Sequence, residues 1–168
     1  QTPDLATFHP TTILETGYDI LPFWVARMIL MTGFLLGEIP FKTVYLHGII
    51  RDNQGRKVSK SLGDNIDPID LIAKYGADAV RLSLIIGVGP GNDTKISEEK
   101  LKAYKHFANK IWNASRFVIE HNKTWTLDVQ VNHPYLRELN RLVKEVTTDM
   151  DNYRYYLAGE KLYHYFWH

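Results

Sequence analysis

The spacing of apolar positions changes along the chain and predicts a short α/β section followed by a longer helical one. Residues 12–15 are a short predicted strand, and the run 43–50 is apolar and rich in β-branched and aromatic residues. Such runs are typical of strands, and the second predicts a buried strand of a parallel sheet. Between them, apolar residues 20–36 predict a helix. We expect Asp19 to be its N-cap and Gly37 to end it.

After the second strand, apolar positions recur at steps of three and four, the spacing of amphipathic helices. Asp67 predicts the start of a short helix that Gly76 ends, and residues 77–86 predict another. Ser97 predicts the start of a long helix. Further helices are expected to begin near residue 132 and near Tyr156.

Aromatic residues of the long helix follow its apolar spacing. Tyr104 and Trp112 both fit this spacing, so we expect both in the core rather than as stacking platforms. The fold class is therefore α/β followed by all-α. Three sections are predicted: residues 1–50, 51–95 and 96–168.

Composition narrows the function classes. The chain has 168 residues, 45% of them hydrophobic, which fits one ordinary domain or two small ones and argues against disorder. The absence of cysteine excludes disulfides and thiolate zinc sites within the chain and is compatible with the cytoplasm. The net charge is +1, so any nucleic-acid surface must be a local patch. Residues 20–36 include Arg27 and are short for a membrane span, so we expect a buried helix and no membrane contact.

The strongest candidate for chemistry is a basic loop at residues 57–61, Lys-Val-Ser-Lys-Ser, which follows the second predicted strand. In open α/β sheets, ligands bind beyond the carboxyl ends of strands. Four cations and one carboxylate give residues 51–60 a net charge of +3: Arg51, Arg56, Lys57, Lys60 and Asp52. Ammonium, hydroxyl and backbone N–H donors suit a polyphosphate. The pentapeptide alone leaves a solvated surface turn as the alternative.

Four segments together resemble class I aminoacyl-tRNA synthetases. Residues 57–61 are similar to the second signature loop of that family, Lys-Met-Ser-Lys-Ser, with Val58 in place of Met. The other three segments resemble a strand-to-helix turn, the region after the signature loop, and the first helix of the anticodon-binding domain: residues 15–28, 75–81 and 107–117. Isoleucyl and leucyl enzymes share this plan, but residues 23–28 are most similar to the valyl members.

The resemblance implies a fold and an activity. The chain would hold the C-terminal half of a Rossmann-like nucleotide-binding sheet, a stem-contact helical segment and a truncated anticodon-binding helix bundle. The full-length enzyme would activate valine with ATP and Mg²⁺, without a tightly bound cofactor, and transfer it to tRNA(Val). It would act as a cytoplasmic monomer.

The resemblance also implies roles for the loop. Lys57 and Lys60 would be the catalytic cations that stabilise charge developing on the phosphates, and Ser59 and Ser61 would donate further hydrogen bonds to the nucleotide. No set of metal ligands is predicted.

Two other residues fall at nucleotide positions of the family, and a third is a further candidate for a nucleotide contact. Gly17 and Asp19 align with the ribose contacts, where a glycine permits close approach and a carboxylate accepts from both hydroxyls. For Asp19, a plain helix N-cap is the alternative. His47 is expected to meet ATP, with a satisfied buried histidine as the alternative.

Apolar residues complete the predicted site. Ile49 and Ile50 would flank adenine through backbone contacts, and sheet core is the equally weighted alternative. Trp24 aligns with an aromatic residue near the amino-acid pocket of the family, and an ordinary core helix residue is its alternative.

The chain also departs from the family. Asp64 stands where Asn is more common, and both the first signature, His-Ile-Gly-His, and the editing domain are absent. We therefore expect an excised piece of a larger protein that is inactive alone. An open strand edge and uncovered apolar residues would make it prone to self-association. A non-catalytic tRNA-binding module is the alternative in another function class.

The long helix carries a basic stripe. Residues 100–123 hold six cations and one carboxylate, a net charge of +5: Lys100, Lys102, Lys105, Lys110, Arg116, Lys123 and Glu120. Such a stripe suits a tRNA backbone. A solvated charged face is the equally weighted alternative.

Overall fold

The structure is a computed structural model, and it describes residues 2–52, 54–58, 67–122 and 133–167. The regular elements of these residues are α1 (Pro3–Phe8), β1 (Thr11–Gly17), α2 (Ala26–Leu36), β2 (Phe41–His47), β3 (Ile50–Arg51), α3 (Pro68–Tyr75), α4 (Ala77–Ile85), β4 (Thr94–Lys95), α5 (Glu98–His121), α6 (Pro134–Asp151) and α7 (Tyr155–Trp167). The chain divides into two compact units, residues 1–49 with 90–94 and residues 50–89 with 95–168. The division into three sections stays a prediction.

The first unit is built on two parallel strands. β1 pairs with β2 from Thr11 opposite Phe41 to Gly17 opposite His47. The parallel pairing agrees with the prediction, although β1 is longer than the predicted residues 12–15. The expected burial of the second strand is wrong, because Phe41 alone is buried and the rest of β2 is half-buried or exposed.

The connection between these strands is less regular than the predicted single helix. A 3₁₀ turn over Tyr18–Ile20 leads into a π turn over Leu21–Val25, and only then does α2 begin. Asp19 lies inside the 3₁₀ turn and is not the N-cap. Gly37 ends α2 as predicted, with the left-handed φ of 71° that glycine adopts without strain.

The apolar face of this connection is open. Within Tyr18–Leu36 only Val25 is buried, and Phe34 is 86% exposed, so the expectation of a buried helix is wrong. By length and composition alone this segment is able to cross a membrane, a test that core helices of soluble proteins also pass.

The second unit has a helical core. Its buried apolar cluster joins α3, α4 and α5: Tyr75, Ala79, Val80, Ile86, Ile96, Leu101 and Tyr104. Two predicted caps are confirmed. Asp67 Oδ1 accepts from the N–H of Ile69 at 2.8 Å, and Ser97 Oγ accepts from the N–H of Lys100 at 3.2 Å. These local hydrogen bonds set where α3 and α5 begin.

The two aromatic residues expected in the core of α5 differ. Tyr104 is buried and meets the ring of Tyr163 edge to face, with centroids 5.8 Å apart. Trp112 is 69% exposed, so its prediction is wrong. The reason is that Trp112 lines an open groove of about 840 Å³, together with Leu162 and Phe166 of α7.

A buried carboxylate ties α6 to α7. Asp149 is 2% exposed, although the sequence pattern places it beside an apolar face rather than on it. Its Oδ1 lies 2.9 Å from Arg154 Nη2, and its Oδ2 lies 2.7 Å from Lys161 Nζ. The hydrogen bond that Lys161 donates to Asp149 raises the pKa of Lys161. These ion pairs fix the helical hairpin, because a buried carboxylate requires charged partners.

A surface ion pair joins α3 to α5 and generates a pH prediction. Lys74 Nζ lies 2.7 Å from Glu98 Oε1, and its hydrogen bond lowers the pKa of Glu98 from 4.5 to about 2. A carboxylate with a lowered pKa in the folded state stabilises fully above its unfolded pKa, and this contribution is lost as the pH falls through the folded value. We expect Glu98→Gln to destabilise the chain at neutral pH, with a gap from wild type that narrows between pH 4.5 and about 2.

Urea unfolding of both proteins at neutral and at acidic pH measures this gap. Glu99→Gln is the matched control. Glu99 shares the first turn of α5, and no ion pair to it occurs among the described residues. A Glu98→Gln gap that stays constant with pH would contradict the prediction.

Candidate functional site

The carboxyl ends of the two parallel strands lie side by side. Gly17 is the last residue of β1, His47 is the last residue of β2, and the two are paired in the register. This edge is where open α/β sheets bind their ligands. Two of the predicted nucleotide residues therefore lie at the expected place.

Asp19 lies close to the same strand end. A Cβ atom added to Gly17 would lie 2.7 Å from Asp19 Oδ1 and 3.4 Å from His47 Cε1. Any larger residue at position 17 would displace the carboxylate. The structure thus gathers Gly17, Asp19 and His47 into one cluster, with Asp19 exposed to solvent.

One nitrogen of the His47 ring is held by the backbone, and the other lies near a carboxylate. Its Nδ1 lies 2.7 Å from the carbonyl oxygen of Gly48, and since a carbonyl only accepts, this nitrogen carries the proton. Its Nε2 lies 3.6 Å from Glu15 Oε1. The side chain is 51% exposed, which excludes the alternative of a buried histidine.

The backbone beyond β2 is held by a distant segment of the same unit. The N–H of Ile49 donates to Asp93 Oδ1 at 2.7 Å, and its carbonyl accepts from the N–H of Thr94 at 3.2 Å. Gly48 lies against this segment so closely that an added Cβ would be 1.8 Å from the carbonyl oxygen of Asn92. The predicted adenine contact of Ile49 is therefore left to its side chain and to the second lone pair of its carbonyl.

In the second unit, the residues before the signature loop form a tight hairpin. Asp52 Oδ1 accepts from the N–H groups of Gln54 and Arg56 at 2.9 and 2.8 Å, and Asp52 Oδ2 lies 2.8 Å from Arg56 Nε. The hydrogen bond from Arg56 lowers the pKa of Asp52. Arg51 donates to the carbonyl of Gly55 at 3.1 Å. Both arginines that were counted toward a phosphate site thus brace the turn.

Of the predicted loop, the structure describes Lys57 and Val58. Lys57 pairs with Arg51 in an antiparallel bridge, and the carbonyl of Ile50 accepts from the N–H of Val58 at 3.2 Å. Ile50 begins β3 and is 37% exposed, so it is not sheet core. The remaining predicted loop residues, Ser59, Lys60 and Ser61, lie outside the described residues.

Trp24 lies in the π turn and is 57% exposed. Its alternative, an ordinary core position, is excluded for this chain. An exposed indole on an irregular turn next to the strand end suits a ligand contact, since π turns are frequent at functional sites.

The basic stripe on α5 is largely engaged within the second unit. Lys102 pairs with Glu98 at 3.3 Å and Arg116 pairs with Glu120 at 3.4 Å. Lys110 donates to the carbonyl of Trp167 at 3.1 Å and lies over its ring. Burial lowers the pKa of Lys100. Among the described residues, these contacts favour a structural role for the stripe over an open phosphate surface.

Sequence reasoning missed one residue at the strand ends. Asp93 follows a glycine-rich loop and carries no motif signal, yet its carboxylate reaches the backbone after β2. The part of the chain that the structure describes contains no group of three or more His, Asp or Glu residues able to hold a metal ion.

Two family models match the chain. One, described as tRNA synthetases class I (I, L, M and V), matches residues 1–97. The other, described as the anticodon-binding domain of tRNA ligase, matches residues 132–168. The first match covers more than half of the chain, so the chain belongs to the class I tRNA synthetases (I, L, M and V). The family predicted from the four sequence segments is confirmed.

Relatives called valine–tRNA ligase align along almost the whole chain. The protein of Clostridium tetani is 46% identical over 99% of the chain and 20% of its own length, and that of Aquifex aeolicus is 44% identical over 99% and 15%. The protein of Thermotoga maritima is 45% identical over 99% and 20%. The chain therefore spans about a fifth of the length of these curated relatives.

Solved structures share the fold. A LeuRS of Agrobacterium radiobacter K84, in a ternary complex with tRNA and LeuAMS, matches with a TM-score of 0.77 and 20% identity over 90% of this chain and 21% of its own. Methionyl-tRNA synthetase of Mycobacterium tuberculosis with methionyl-adenylate matches with a TM-score of 0.76 and 24% identity over 99% and 34%. The predicted fold class, a partial Rossmann-type α/β section followed by helices, is confirmed.

The close contact at Gly48 generates a stability prediction. We expect Gly48→Ala to destabilise the first unit by about 1–3 kcal/mol, the usual cost of overpacking, because the obstacle is backbone rather than a mobile side chain. Gly33→Ala is the matched control. Nothing lies within 4 Å of a Cβ at Gly33, and removing a glycine from the interior of α2 should stabilise by about 0.5–1 kcal/mol. Denaturant unfolding distinguishes the two, and equal shifts would contradict the prediction.

Proposed function

We propose that this chain is part of a valine–tRNA ligase, which activates valine with ATP and transfers it to tRNA(Val). The observation that carries the proposal is the identity of 44–47% with valine–tRNA ligases over 99% of the chain. The cluster of Gly17, Asp19 and His47 at the strand ends supports it, because this edge is where such a fold binds a nucleotide.

The first step of the proposed reaction is adenylate formation. A carboxylate oxygen of valine attacks the α-phosphorus of MgATP, the bond to the bridging oxygen of the β-phosphate breaks, and pyrophosphate leaves. Negative charge grows on the bridging and leaving oxygens. Lys57 and Lys60 stabilise this charge, and Ser59 and Ser61 donate further hydrogen bonds to the phosphates.

The nucleoside half of ATP is assigned to the strand ends. Asp19 accepts from the ribose hydroxyls, and Gly17 lets the sugar approach the backbone. His47 contacts the nucleotide. Its half-exposed ring, held by the carbonyl of Gly48, is suited to this role since it costs little to order. Ile49 and Ile50 flank adenine.

Trp24 is assigned to the valine pocket. Its indole is exposed on the turn between β1 and α2, and an exposed indole can supply an apolar wall for a small aliphatic side chain. A hydrophobic pocket discriminates a missing methylene by only about 1–3 kcal/mol, so this residue contributes to selectivity without completing it.

The remaining assignments concern the full-length enzyme. The anticodon-binding domain supports tRNA(Val) as a partner. We propose a cytoplasmic monomer that uses ATP and Mg²⁺. Within the stripe on α5, Lys102, Lys110 and Arg116 contribute to tRNA binding only if they leave their internal partners.

Removal of one loop lysine tests the assignment. We expect Lys60→Ala in the full-length enzyme to slow valine-dependent ATP–pyrophosphate exchange by about 10²–10³-fold, the range for loss of one transition-state donor. Lys57→Ala should act in the same direction, and the KM for valine should change little because both lysines meet the triphosphate. Lys42→Ala, an exposed lysine on β2, is the control. Lys60→Ala activity within threefold of wild type would overturn the role of Lys60, and exchange that depends on isoleucine or leucine instead would overturn valine.

We expect the chain of 168 residues alone to make no valyl-adenylate. The His-Ile-Gly-His segment is absent from its sequence, and positioning supplies on the order of 7–11 kcal/mol of a barrier reduction. Pyrophosphate exchange with the purified chain, valine and MgATP measures this, with Lys57→Ala/Lys60→Ala as the background. Valine-dependent exchange above that background would refute the proposal.

Sedimentation of the same sample tests the proposed self-association, which the exposed apolar face of α2 favours.

A further inference from the structure

The segment 90–94 lies beside the end of β2 in the first unit. The N–H of Gly91 donates to the carbonyl of Leu46 at 2.8 Å, and the N–H of Thr94 donates to the carbonyl of Ile49 at 3.2 Å. These two hydrogen bonds bracket the last residues of β2 and the backbone that follows. The segment 90–94 therefore stabilises the backbone at the end of β2.

Asp93 connects the two sides of the nucleotide cluster. Its Oδ1 accepts from the N–H of Ile49 at 2.7 Å, and its Oδ2 accepts from the hydroxyl of Tyr18 at 3.4 Å. Tyr18 precedes Asp19 in the 3₁₀ turn after β1. The Asp93 carboxylate thus contacts both the turn that carries Asp19, which is assigned to the ribose, and the backbone of Ile49, which is assigned to adenine.

The backbone at Gly48 is closely packed against the backbone of Asn92 and Asp93. A Cβ at Gly48 would lie 1.8 Å from the carbonyl oxygen of Asn92 and 2.6 Å from the backbone nitrogen of Asp93. The two backbones are therefore in direct contact, and Asp93 itself is half-buried. An ionised carboxylate only accepts hydrogen bonds, so it matches two donors that approach from different elements.

We propose that Asp93 is a positioning residue for ATP, which acts through Ile49 and Tyr18 without touching the substrate. This inference rests on the proposed function, because that function assigns the nucleoside to these strand ends. Loss of the carboxylate would release the N–H of Ile49 and free the turn that carries Asp19. Both sides of the nucleoside site would then be less ordered before ATP binds.

A positioning role predicts a particular kinetic signature. The nucleoside is bound equally in the ground state and the transition state. Weaker binding of the nucleoside therefore raises the KM for ATP while kcat changes little. We expect Asp93→Ala to lower kcat/KM for ATP by up to about 10²-fold, the cost of small misplacements in a bound substrate. The KM for valine should stay within about twofold, since Asp93 is not assigned to the amino acid. A merely structural role would reduce the fraction of active enzyme, which lowers kcat and leaves both KM values unchanged.

The experiment uses the full-length enzyme and three variants with a control. Asp93→Asn keeps the oxygen that accepts from Ile49 and has the same shape, so it should restore most of the ATP affinity. Tyr18→Phe removes only the hydroxyl, so it should raise the KM for ATP moderately and add little to Asp93→Asn in the double variant. Asp4→Asn changes an exposed carboxylate on α1 and should leave both KM values at wild-type level.

Exchange kinetics and equilibrium dialysis with ATP alone together separate the failures. A wild-type enzyme without valine-dependent exchange overturns the proposed function, and dialysis then still reads the role of Asp93 in ATP binding. A wild-type enzyme that exchanges, with an unchanged KM for ATP in Asp93→Ala, overturns this inference alone. If Asp93→Ala does not fold, Tyr18→Phe decides, and a wild-type KM for ATP in Tyr18→Phe also overturns this inference.

Discussion

The parallel pairing of β1 with β2 is the constraint on which the first unit depends. It sets Gly17 opposite His47, so both strands end at one edge and the next residues meet there. A slip of one residue would turn every side chain of a strand to the other face. Space at this edge is limited, because neither Gly17 at the end of β1 nor Gly48 directly after β2 has room for a Cβ. The site is thus a consequence of register and of close backbone approach.

The features that could be predicted from the sequence are those with local causes. Asp67, Ser97 and Gly37 act on backbone groups within a few residues, so their types and positions were enough to place the helix boundaries. The same holds for the second strand, which was predicted from a run rich in apolar, β-branched and aromatic residues. Of the candidate site, Gly17, Asp19 and His47 were chosen by resemblance, and the register explains why they meet.

Features that depend on distant partners could not be predicted. Asp93 bonds to residues 44 and 75 positions away, and no spacing rule connects such positions. Asp149 is buried because α7 returns with Lys161, whereas its place in α6 alone marks it as an ordinary polar residue. Trp112 fits the apolar period of α5 but lines an open groove. Periodicity predicts which face of a helix is apolar, but it does not predict whether another element packs against that face.

Formal charge is a poor guide to what a basic segment presents to a ligand. The segment 51–60 has a net charge of +3, yet Arg56 is bound by Asp52 and Arg51 by the carbonyl of Gly55. A planar guanidinium with fixed donors is suited to brace a turn, whereas an ammonium on a flexible stem is suited to follow a phosphate through a reaction. Both arginines are thus held within the turn, and the flexible stem of lysine is a physical reason to assign the phosphate chemistry to Lys57 and Lys60.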